Sequence, residues 1–116
     1  MDASVIDLSG KVVFVTGGGG GIGRAIALSM ADMGADVAIL ELVPERCDQV
    51  AELIEARGRK ALCIAGNAMD VDVVQDAVAK AARHFGRLDV LANNVGGVSR
   101  RPFADLTEKN WLRHID

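Results

Sequence analysis

The chain has 116 residues, half of them apolar and a quarter charged, with a net charge of −3. That length fits one domain with one real core, and the mild negative balance argues against a nucleic-acid or anionic-membrane partner, since both require a basic face. No segment approaches the roughly 18 uninterrupted apolar residues of a membrane span, and residues 1–7 read as a short leader, too acidic and too polar for a signal peptide. Cys47 and Cys63 stand outside any C-x-x-C pair and fall in apolar periodic segments, which predicts two buried thiols in a protein of the reducing cytoplasm.

Lys11 to Val15 is a short apolar run rich in β-branched residues and reads as a buried strand of a parallel sheet. Five glycines follow. Ile22, Ala25, Ile26, Met30 and Met33 then recur at helical spacing, with Gly34 as a stop. Val37 to Leu40 reads as a second strand. Pro44 suits the first position of a helix whose apolar stripe is Cys47, Val50, Ala51 and Ile54, closed by Gly58. Ala61 to Ala65 is the third strand. Asp70 can cap a third helix with Val74, Ala77, Val78, Ala81 and Phe85 on its inner face and Gly86 at its end. Leu88 to Ala92 is the fourth strand, followed by a loop with Gly96, Gly97 and Pro102 and a last helix capped by Thr107 and carrying Trp111, Leu112 and Ile115. Alternating strands and helices predict βαβ units with right-handed crossovers. The expected fold is α/β: a Rossmann-like doubly wound parallel sheet of four strands in the order 3-2-1-4.

The glycines carry the functional signal. A flexible linker would lie between polar, structureless segments, whereas Gly17 to Gly21 lie between the first strand and first helix of a βαβ unit. A dinucleotide diphosphate binds at that junction, because the helix start offers unpaired N–H groups and a partial positive charge, and a side chain there would hold the phosphate away. Two registers fit the run: Gly18, Gly20 and Gly23 match G-x-G-x-x-G, while Thr16, Gly17, Gly21 and Gly23 match T-G-x-x-x-G-x-G. Glu41 closes the second strand 21 residues after Gly20, near the roughly 20 expected of an acid that holds the adenosine ribose.

Thr16-Gly17-x-x-x-Gly21-Ile22-Gly23, then Glu41, then Gly66-Asn67-Ala68, then Asn93-Asn94-Val95-Gly96, together with Phe85-Gly86-Arg87-Leu88-Asp89-Val90-Leu91, resemble the short-chain dehydrogenase/reductase family in its classical branch. The likeness runs from about Leu8 to Asp116. It selects the second register, so Gly17, Gly21 and Gly23 form the expected phosphate loop, with Ile22 lending backbone and Gly20 counted as a further cofactor-binding residue. By the same resemblance Glu41 accepts hydrogen bonds from both ribose hydroxyls, Asn67 accepts one from the adenine amino group, Ala68 contributes backbone, and Asn94 lies beside the cofactor ribose. Asn67 stands where many relatives carry Asp, and an amide oxygen still accepts such a bond. Val95 replaces the usual alanine. A carboxylate at position 41 repels a 2′-phosphate, so NAD is favoured over NADP as cofactor; no Lys or Arg lies between Gly17 and Gly21, although Arg24 and Arg46 follow.

The resemblance also implies chemistry that these residues lack. Such enzymes move hydride between the nicotinamide and an alcohol or ketone substrate, while a tyrosine, its pKa lowered by a lysine four residues later, transfers the proton beside a polarising serine. This sequence has no tyrosine and no Y-x-x-x-K. The expected site is therefore cofactor-binding only, with no catalytic residue and no metal ligand, in an incomplete NAD(P)-binding domain spanning 1–116. The uncovered fourth strand and the apolar face of the last helix predict a homo-oligomer or a self-associating species. His84, His114, Arg100 and Arg101 read as surface residues.

Overall fold

The computed structural model describes residues 6–94. The last helix, with Thr107, Trp111, Leu112 and Ile115, lies outside the described residues, as do Val95, Gly96 and Gly97. Within them the chain alternates strictly: β1 (Val12–Thr16), α1 (Gly21–Asp32), β2 (Asp36–Glu41), α2 (Pro44–Glu55), β3 (Ala61–Ala65), α3 (Val71–Phe85) and β4 (Val90–Asn93). The sheet is wholly parallel in the order β3-β2-β1-β4, as the sequence predicts. β1 is flanked on both sides, with Val13 opposite Val37 and Val90, and Thr16 opposite Leu40 and Asn93.

Strand alternation sorts the core into two layers. Val13, Val15, Val37 and Ile39 face α1 and α2, where they meet Ala27, Ala31, Cys47, Val50 and Ile54. Phe14, Ala38 and Leu40 face α3 and meet Val74, Ala77 and Ala81. Because β1 and β2 are covered on both sides, every residue of β1 is buried, which explains the unbroken apolar runs. Each large side chain sealed there, such as Phe14 or Ile39, contributes roughly 1.5–3 kcal/mol of hydrophobic stabilisation.

The helix ends follow from local chemistry. Asp70 caps α3, its carboxylate accepting from the amides of Asp72 and Val73 at 2.9 and 3.4 Å, and Gly86 ends that helix in the left-handed conformation at φ 78°. Pro44 opens α2. α1 differs from expectation in its inner face. Gly23, Ala27 and Ala31 are its buried residues, while Ile22 is 71% exposed. Small residues four apart let the helix lie close on the sheet, and Ile22 at the first turn points away from it. β4 also begins later than its apolar pattern suggests, because Asp89 is held outside the strand by its own contacts to Val12 and Arg87.

Candidate functional site

All four strands end at one edge of the sheet, and each predicted site residue lies at or just beyond a different strand end. Gly17 follows β1, Glu41 closes β2, Asn67 and Ala68 follow β3, and Asn94 follows β4. In an open doubly wound sheet ligands bind outside the carboxyl ends of the strands, at the point where the chain order reverses. Here that point lies between β1 and β4.

The loop between β1 and α1 is fitted to its surroundings at backbone level. Gly17 has φ 65°, and a Cβ on it would stand 2.7 Å from the carbonyl oxygen of Asn94. A Cβ on Gly23 would overlap the carbonyl oxygen of Gly17 and stand 2.7 Å from Nδ2 of Asn94. Gly17, Gly23 and Asn94 therefore form one tight junction that excludes side chains. Gly20 caps α1 in an extended conformation, and no side chain caps this helix start, so its first-turn amides remain available to an anion. Gly21 begins the helix, with open space where a Cβ would project. The exposed side chain of Ile22 leaves only its backbone facing the loop.

Glu41 is a charged residue only 7% exposed. Its Oε2 accepts from the amide of Gly19 at 3.3 Å; among the described residues its other oxygen has no partner. A Cβ on Gly19 would lie 2.6 Å from Cγ of Glu41 and 2.8 Å from Cβ of Arg46. Glycine at position 19 thus lets a carboxylate pack directly against the loop between β1 and α1. Asn67 lies one strand further out. Its Oδ1 accepts from the amide of Met69 at 2.9 Å, which fixes the turn into α3 and leaves the second lone pair of that oxygen for another donor. Ala68 packs on the α3 layer of the core. Glu41 and this turn are joined through the backbone, Gly66 donating to the carbonyl of Glu41 at 3.0 Å.

Two residues that the sequence marked only as parts of longer motifs also matter here. Thr16 is fully buried; its hydroxyl donates to Oδ1 of Asn93 at 2.9 Å and accepts from the amide of Asn94 at 2.8 Å. It ties the end of β4 to the start of the glycine loop. Asp89 does the same at the other end of these strands, accepting from the amide of Val12 at 2.8 Å and from Nε and Nη2 of Arg87. The Arg87 guanidinium, followed by the Val12 amide, holds the Asp89 carboxyl down to about 2. The thiols of Cys47 and Cys63 are free. Burial pushes both up from the usual thiol range, so neither is an activated nucleophile. Among the described residues no three His, Cys, Asp or Glu side chains could hold a metal ion.

A family model described as short chain dehydrogenase matches residues 11–116. The chain belongs to the short-chain dehydrogenase family. It is 41% identical over 107 residues to hydroxynaphthalene reductase of Aspergillus fumigatus, which covers 91% of this chain and 39% of that protein. It is 45% identical over 101 residues to L-rhamnose 1-dehydrogenase (NAD(P)(+)) of a Sphingomonas species, 85% of this chain and 39% of that one. Among solved structures, a short chain dehydrogenase from Burkholderia cenocepacia in complex with NADP superposes with a TM-score of 0.76 at 42% identity, over 92% of this chain and 44% of the other. The chain thus spans well under half the length of these family members.

Proposed function

We propose that these residues form the dinucleotide-binding half of an NAD-dependent oxidoreductase acting on an alcohol or carbonyl substrate. The observation that carries the proposal is the near-buried carboxylate of Glu41 under an uncapped helix start, beside a loop closed to side chains. A cradle of that form suits a nicotinamide dinucleotide. Amides of Gly20, Gly21, Ile22 and Gly23 would face the diphosphate, Glu41 would take the adenosine ribose hydroxyls, Asn67 and Ala68 would border the adenine, and Asn94 the ribose nearer the nicotinamide. When bound, the nicotinamide would supply the hydride acceptor or donor; the residues here bind and orient. Glu41 favours NAD because its charge repels a 2′-phosphate.

A second reading follows from the absence of tyrosine in the 116 residues. By themselves they would hold a dinucleotide without hydride transfer, since a proton donor and acceptor tuned toward neutral pH is missing. A cytoplasmic location, suited to the two unpaired thiols, and a homo-oligomeric state complete the proposal.

Titration of the purified protein with NADH, followed by fluorescence, tests the reading. Saturable binding is expected, and Glu41→Gln should weaken it about tenfold, the worth of one hydrogen bond to a charged acceptor. A folded sample that shows no saturable change overturns the proposal.

A further inference from the structure

The two cysteines meet in the fold. Cys63 lies in β3 and stands opposite Ile39 of β2 in the parallel register. Cys47, near the start of α2, is packed against the same residue, its thiol donating to the carbonyl oxygen of Ile39 at 3.8 Å. The Cys63 thiol in turn donates to the carbonyl oxygen of Cys47 at 3.1 Å. Both side chains belong to the core layer that α1 and α2 form on the sheet. Burial raises both thiols; beyond it, the hydrogen bond between the two side chains raises Cys47 further and lowers Cys63. Their access to solvent differs. Cys47 is sealed at 1% exposure, whereas Cys63 is half-buried on a strand that, among the described residues, has a neighbour on one side only.

Any two small apolar side chains could fill this space; two thiols in contact can also bond. We infer that Cys47 and Cys63 are a redox pair, a reversible disulfide that ties α2 to β3 when the surrounding thiol–disulfide balance turns oxidising. Cys63, the more open of the two, attacks one sulfur of a small disulfide such as oxidised glutathione, and half of that molecule leaves as a thiol. Cys47 then attacks the Cys63 sulfur and displaces the other half as a second thiol. The two protein thiols give up two electrons and two protons, and one small disulfide becomes two thiols. Neither cysteine is activated, so the first step is slow, but the contact in the folded state makes the second step intramolecular. The carbonyl of Cys47 loses the Cys63 donor and keeps its partner within α2, so closing the bond leaves no buried acceptor bare. The bridge encloses residues 48–62 and stabilises the fold by restricting the unfolded chain. No residue of the proposed dinucleotide site takes part, so the inference stands apart from that reading.

The test equilibrates the folded protein, in the longest form its gene encodes, in buffers that step from reduced to oxidised glutathione, and follows it by mass spectrometry and thermal unfolding. Proteolysis of the oxidised sample should yield one disulfide-linked peptide pair carrying Cys47 and Cys63, and dithiothreitol should separate it. The oxidised protein should unfold roughly 5 °C higher than the reduced one. Cys63→Ala compared in the same two buffers should show no such rise, and the half-buried site makes that variant the milder of the two to fold; Cys47→Ala supplies the second control. Four results overturn the inference: Cys63 halting as a mixed disulfide with glutathione, a bridge that joins two chains instead of one, thiols that react only once the protein is unfolded, or a bridged protein whose midpoint does not rise above that of the reduced form.

Discussion

A buried hydroxyl at the end of a strand needs both a donor and an acceptor partner, and Thr16 finds them on β4. Its bonds to Oδ1 of Asn93 and to the amide of Asn94 fix the backbone turn whose carbonyl presses on Gly17. Thr16→Val keeps the shape and removes the hydroxyl, so the Asn94 amide loses its acceptor. The expected loss is about 1–3 kcal/mol, seen as a lower midpoint in urea unfolding, together with weaker NADH binding because Asn94 is no longer held over Gly23. Thr16 stands in the motif read from the sequence, but its role does not, because its partners lie 77 and 78 residues away and only the parallel pairing of β1 with β4 brings them near. Glu41 was legible because its position at a strand end is a local pattern. Gly19 was not, since the reason for its missing side chain is the bulk of Glu41 and Arg46 packed against it.

Elements here are joined at their ends by charged clasps. The start of β4 is bound to the start of β1 by Asp89, which faces the Val12 amide and the Arg87 guanidinium. Its carboxyl, held near 2 in the folded protein, returns to about 3.9 in the unfolded chain. A depressed folded value means that the unfolded chain binds the proton more readily. The clasp therefore stabilises fully above about pH 5 and is lost as the pH falls from about 4 toward 2. Asp89→Ala should lower the thermal midpoint at pH 7, and the gap from wild type should close by pH 2; a gap that stays constant across that range would show that Asp89 acts only by packing. The caps of α3 were readable from Asp70 and Gly86, whose chemistry is local. The inner face of α1 was not, because hydropathy marked Ile22 as a core residue while close packing on the sheet selects the small residues Gly23, Ala27 and Ala31.

Crossover handedness fixes the hand of each βαβ unit and the doubly wound dinucleotide-binding pattern supplies the strand order, which is why that order was predictable, but the state of the sheet edges depends on what lies beside them. Among the described residues β4 has β1 on one side and no strand on the other. Val90 is 37% exposed and Leu91 49%. Leu91 also lines an apolar groove of about 410 Å³ with Val74, Val78 and Ala82 of α3. An unpaired edge beside an apolar groove is a template for further pairing, and the exposed backbone of β4 can take up a strand from a second copy. The 116-residue chain expressed by itself should therefore associate as its concentration rises, with an apparent mass in sedimentation velocity that climbs above the monomer. Leu91→Lys places a charge in the groove and beside the edge, and should shift the distribution toward monomer without loss of helical circular dichroism, because half of that side chain already meets solvent. Equal sedimentation of wild type and variant at every concentration would rule out β4 as the contact, and a monomer throughout in wild type would remove the edge as a driver of assembly.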